Sequence, residues 1–122
     1  EKTMTVAERT NVNIENTDLT LEKEYIQTGQ LKASESVAFP VLDGQELNIT
    51  LNNPSNQYTV YYKIYNQATS TLFKSGQIEP GKSLSYMVGR SVGFNSYRIQ
   101  NTSAIIPKTG GQPYLGWLVI AD

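Results

Sequence analysis

The chain has 122 residues, with ten basic and eleven acidic side chains and neither cysteine nor histidine. Those two absences exclude disulfides, thiolate metal sites, thiol nucleophiles, imidazole bases and Ser-His-Asp triads. A net charge of -1 leaves no basic excess to attract a phosphate backbone, so nucleic acid is not an expected partner.

The N-terminal third is the least regular part of the chain. Thr3 to Ala7 and Leu19 to Ile26 are candidate strands, and the polar stretch Glu8 to Asp18 between them reads as a loop. Segment 1–18 is thus the irregular part of a single domain spanning 1–122. Glu22-Lys23-Glu24-Tyr25 is the one place where a short helix competes. Ser36 to Leu42 is the next strand, and Pro40 assigns it to an edge or a bulge because proline has no N–H to give a ladder.

From Gln45 onward the period is two. Leu47, Ile49 and Leu51 alternate with Glu46, Asn48, Thr50 and Asn52, the pattern of a strand with one solvated face. Asn53-Pro54-Ser55-Asn56 is a turn signal. Gln57 to Asn66 then sets Tyr58, Val60, Tyr62 and Ile64 against Thr59, Tyr61, Lys63 and Tyr65. These two runs read as an antiparallel pair. Thr71 to Ser75 is a short strand, and Glu79-Pro80-Gly81-Lys82 has the proline and glycine placement of a type II turn closing a hairpin. Ser83 to Arg90 alternates again, with Leu84, Tyr86 and Val88 on one side. Gly93 to Thr102 offers Tyr97 and Ile99 on one face. Tyr114 to Ala121 is apolar on both faces, as a central strand or one covered on both sides would be. No segment shows helical spacing over ten or more residues.

Several motif matches have plainer readings. Gly76-Gln77-Ile78-Glu79-Pro80-Gly81-Lys82-Ser83 satisfies the phosphate-loop pattern, which requires a helix after its serine. Here the period is two after Ser83, and Pro80 removes an N–H from the would-be cradle, so a nucleotide is not an expected ligand. Lys108-Thr109-Gly110 matches one element of the serine β-lactamases, but no serine has a lysine three residues on. It reads instead as a loop running to Pro113. Glu22 and Glu24 would sit roughly 7 Å apart on one side of a strand, and Glu35 and Glu46 are also available, yet alternating glutamates usually mark a solvated face. Asn48-Ile49-Thr50 and Asn101-Thr102-Ser103 fit the glycosylation sequon, a frequent coincidence in a chain this rich in Asn and Thr. With three scattered aspartates, no metal site is expected. No cofactor is expected either.

The aromatic residues point to function. Eight of the twelve are tyrosine. With Tyr58 and Tyr62 turned to the core, Tyr61 and Tyr65 flank Lys63 on the outside, where exposed rings can stack on a sugar or anchor a protein. Tyr114 is a second candidate, and Trp117 below it is assigned to the core. The candidate ligand-binding residues are therefore Tyr61, Lys63, Tyr65 and Tyr114.

The expected fold is an all-β, antiparallel two-sheet sandwich of seven to nine strands, with a partly closed barrel as the alternative. No apolar run is long enough to cross a membrane as a helix. Thr, Ser, Asn and Gln supply 40 of the 122 residues, a hydroxyl and amide surface common in exported proteins. The expectation is a secreted or surface-displayed bacterial module, its leader removed ahead of Glu1; the composition also leaves a cytoplasmic location open. Such a module would bind a protein, glycan or cell-wall ligand without catalysis. The alternatives are a self-assembling structural protein and a small membrane-active toxin.

Overall fold

The computed structural model describes residues 24–106 and 113–122. The expected strands and loop before Glu24 and most of the expected 108–113 loop lie outside these residues. Among the described residues there are eight strands and no helix. They are β1 (Tyr25–Leu31), β2 (Ser36–Val41), β3 (Leu47–Asn52), β4 (Val60–Asn66), β5 (Thr71–Ile78), β6 (Ser83–Val88), β7 (Asn95–Asn101) and β8 (Leu115–Ala121).

They form two antiparallel sheets of four. Sheet A has the order β1-β8-β3-β6 and sheet B the order β2-β7-β4-β5. The sheets face each other and do not close into a barrel, so the expected sandwich is the observed one. This interleaved order is that of an eight-stranded jelly roll, two Greek keys wound together. Only β4 and β5 are both consecutive and paired. Every other connection crosses from one sheet to the other.

Two expectations are corrected by that topology. The runs around Leu47–Asn52 and Val60–Asn66 do not pair: β3 lies between β6 and β8, and β4 lies in the opposite sheet between β5 and β7. The Glu79–Lys82 turn exists, with Lys82 N donating to Glu79 O at 3.0 Å and Gly81 at φ +73°, but it is not a hairpin. It carries the chain from β5 in sheet B to β6 in sheet A. Ser83 opens a strand, as its alternation predicts. The third difference is β1, which extends to Leu31, beyond the expected limit at Ile26. Its polar run Gln27-Thr28-Gly29-Gln30 hides it from a periodicity reading. Pro40 lies on β2, an edge strand, as its missing N–H requires. β8 is central in sheet A, as its two apolar faces predict.

The core sits between the sheets. Leu47, Ile49, Leu51, Leu115 and Val119 come from sheet A, and Phe39, Val60, Ile64 and Ile99 from sheet B, all essentially inaccessible to water. The Trp117 ring packs against Phe39 at 5.0 Å between centroids. Beside it on β1 is Gly29, where a Cβ would stand 2.7 Å from the indole, so only glycine leaves room for the ring.

Two buried asparagines fasten one end of the sandwich. Asn101 Nδ2 donates to Leu31 O and Pro113 O, both at 2.9 Å, while its Oδ1 accepts from Ser103 N at 3.0 Å. Asn53 Nδ2 donates to Tyr58 O at 2.6 Å and Ile78 O at 2.9 Å, while its Oδ1 accepts from Ser55 N at 3.0 Å. Each amide satisfies backbone groups at strand ends that cannot find ladder partners because the chain is leaving one sheet for the other.

Candidate binding face on sheet B

Alternation along β4 turns Val60, Tyr62 and Ile64 inward and Tyr61, Lys63 and Tyr65 outward. Tyr61 is 46% exposed, Lys63 is exposed and Tyr65 is half-buried. Three of the four expected site residues therefore share the outer face of sheet B. Tyr61 and Tyr65 are four residues apart, roughly 13 Å along the strand. Tyr114 is not part of that face: it precedes β8, a strand of sheet A.

The neighbouring strands complete the face with residues the alternation of β4 does not reveal. Lys63 stands between Gln100 on β7 and Ser75 on β5. Tyr65 stands between Arg98 on β7 and Leu72 on β5, and Tyr61 is paired with Gln77. Arg98 and Gln100 are discoverable in outline, since Tyr97 and Ile99 face inward and their neighbours must face out. What periodicity does not show is that β7 lies beside β4.

Arg98 is held in place. Its Nη1 donates to Ser36 Oγ at 2.7 Å. The Gln67 amide, oriented by the bonds it can make, accepts from Arg98 Nε at 2.9 Å and Nη2 at 3.3 Å and donates to Ser96 Oγ at 3.0 Å. These bonds hold a planar cation on β7, on the residue that pairs with Tyr65 of β4. The Glu79 carboxylate at the margin accepts from Gln77 Nε2 at 2.8 Å and from Thr59 Oγ1 at 3.2 Å. The face is a shelf of two rings, two cations and several amides.

Of the acidic residues considered for catalysis, Glu35 and Glu46 bond to neighbouring groups of the fold. Glu35 Oε1 accepts from Lys32 N at 2.8 Å, and Glu46 pairs with Arg90 at 3.3 Å. Glu24 precedes β1, and Glu22 lies outside the described residues. Among the described residues no three acidic side chains gather as a metal site.

Beneath the face, Tyr62 reaches across the core to share a short hydroxyl–hydroxyl bond with Tyr86 of β6. Burial, reinforced by that bond and by the Tyr86 charge, holds the Tyr62 phenol well above its ordinary value of 10.0. A phenol is neutral when protonated, so raising its value in the folded state stabilises the fold below the unfolded value. That contribution is lost as pH rises beyond about 10. In urea titrations across this range, stability is expected to fall more steeply for the wild type than for Tyr62→Phe. Equal slopes would show that Tyr62 does not govern the alkaline limb.

No protein-family model matches the chain, and no curated protein matches its sequence. Solved structures with a similar arrangement include a de novo designed double-stranded β-helix at 10% identity, covering 80% of this chain and 97% of that one with a TM-score of 0.48. A second belongs to work titled "Bacillus endospore appendages form a novel family of disulfide-linked pili", at 15% identity, covering 80% and 84% with a TM-score of 0.48. A third is PliG from Aeromonas hydrophila, a periplasmic inhibitor of g-type lysozyme, at 11% identity, covering 82% and 87% with a TM-score of 0.44.

Proposed function

We propose that the protein is a non-catalytic, exported binding module whose ligand is a glycan lying across the outer face of sheet B. The supporting observation is the shelf formed by Tyr61, Lys63, Tyr65 and Arg98, with Arg98 fixed by Ser36 and Gln67. Tyrosine rings stack on the apolar faces of sugars, and their hydroxyls stay wet. Gln77 and Gln100 supply donors and acceptors for sugar hydroxyls. Lys63 and Arg98 favour a glycan carrying carboxylates, since a planar guanidinium can donate two parallel bonds to a carboxylate. An uncharged polar surface with no cysteine suits an exported bacterial protein.

A glycan array that includes uronic-acid polymers tests the reading. The expected result is binding to acidic glycans, weakened about tenfold or more by Tyr65→Ala, where one lost contact of 1.4 kcal/mol already accounts for tenfold. Arg98→Ala should weaken acidic glycans and spare neutral ones. Binding unchanged in Tyr61→Ala, Tyr65→Ala and Arg98→Ala would remove this face from consideration. Binding only to a protein would replace the glycan.

A further inference from the structure

The four edges of the sandwich are not alike. An edge strand exposes unpaired N–H and C=O groups and recruits another strand unless something blunts it. In sheet B both edges are blunted. β2 carries Pro40, which has no N–H. β5 is kinked by a bulge opposite Ile64/Tyr65, and its Lys74 leans over the Phe73 and Tyr86 rings at 5.6 and 5.5 Å. A bulge and an inward-leaning lysine are two of the devices that keep a strand from pairing.

In sheet A neither edge has such a device. β6 (Ser83–Val88) and the stretch of β1 from Ile26 to Gln30 contain no proline and no charge, and their registers run without a break. Neither has a strand on its outer side among the described residues. Every neighbouring pair in sheet A is antiparallel, so β6 runs opposite to β1. A second copy displaced sideways would therefore set its β1 antiparallel to the first copy's β6, with inner face continuing inner face.

The outer-face rows match under this displacement. Within one copy the rows read Ile26, Ile120, Asn48, Met87; then Thr28, Leu118, Thr50, Ser85; then Gln30, Gly116, Asn52, Ser83. Continued into the next copy, Met87 meets Ile26, Ser85 meets Thr28, and Ser83 meets Gln30. Met87 is 66% exposed and Ile26 53% exposed, at opposite margins of the sheet. The Ser85–Thr28 pair would repeat the hydroxyl contact Ser85 already makes with Thr50 at 2.9 Å.

We propose that sheet A is extended by further copies of this chain, the β6 edge of one against the β1 edge of the next, with Met87 beside Ile26. The contact uses two different surfaces and repeats by sideways displacement, so it builds open chains. The glycan-binding face lies on sheet B and stays uncovered on every copy, so the two readings stand or fall separately.

The lack of cysteine makes the test clean. Under mild oxidation the full chain carrying Ile26→Cys and Met87→Cys together is expected to give a ladder of dimers, trimers and longer species on a non-reducing gel. Each single variant should run as a single uncross-linked band on that gel, and Thr28→Cys with Met87→Cys, one row out of register, should cross-link far less. Light scattering of the wild type should show mass rising with concentration, and Ser85→Lys, a charge on the β6 edge, should hold it at one copy. A wild type that stays at one copy at every concentration, or a double variant that gives no ladder, overturns the proposal. Efficient dimers from either single variant also overturn it, since they report a symmetric edge contact.

Discussion

Trp117→Ala is expected to destabilise the domain by about 3–5 kcal/mol, the usual cost of emptying a large aromatic site in a core. A chain of this length has roughly 6–18 kcal/mol of stability in total, so the loss is a large share of it. The ring is buried against Phe39 and lies over Gly29, whose missing side chain is the space the indole fills. The same geometry predicts a coupling. Gly29→Ala alone forces a Cβ to within 2.7 Å of the ring and should be destabilising. In the Trp117→Ala background the clash is gone, and an added methyl fills part of the hole. A double-mutant cycle by urea denaturation should therefore show strong non-additivity, with Gly29→Ala harmless or helpful in the second background. Additive effects would mean the ring is not held over Gly29.

Asn101→Ala is expected to cost about 3 kcal/mol, because it leaves two carbonyls and one N–H without their partners in a buried site. The groups stranded are Leu31 O, Pro113 O and Ser103 N, which belong to the ends of β1, the approach to β8 and the exit from β7. Asn101→Asp should be no better, since a carboxylate cannot donate to two carbonyls. Asn48, on the outer face of sheet A, serves as the control, and Asn48→Ala should change stability by less than about 0.5 kcal/mol. Equal effects at Asn101 and Asn48 would refute the fastening role. Asn53→Ala should behave like Asn101→Ala, for the same arrangement of bonds.

These two asparagines show where periodicity runs out. Both read as members of a turn and a sequon, ordinary for a chain rich in Asn and Thr. Their importance comes from carbonyls up to 70 residues away in the chain. Gly29 is similar: it breaks up an already polar strand and weakens its signal, and its purpose appears only beside Trp117.

The candidate face divides in the same way. That Tyr61, Lys63 and Tyr65 point outward while Tyr62 points inward follows from alternation along one strand and holds in the fold. That Arg98 stands beside Tyr65, and that Tyr114 leads into a strand of the other sheet, depends on which strands are neighbours.

The sequence by itself determined the class of fold, the inward and outward face of most strands and the Glu79–Lys82 turn, and it narrowed Pro40 to an edge or a bulge and the last strand to a central or doubly covered one. These follow from local rules: a period of two, a missing N–H, a glycine at positive φ. Only the tertiary structure decided the pairing, because a strand's alternation is the same whichever strand lies beside it. The order β1-β8-β3-β6 and β2-β7-β4-β5 is chosen by how the inner faces pack and by where buried amides can satisfy the crossing backbone. That choice places Arg98 with Tyr65, and it leaves two uncharged edges on the same sheet.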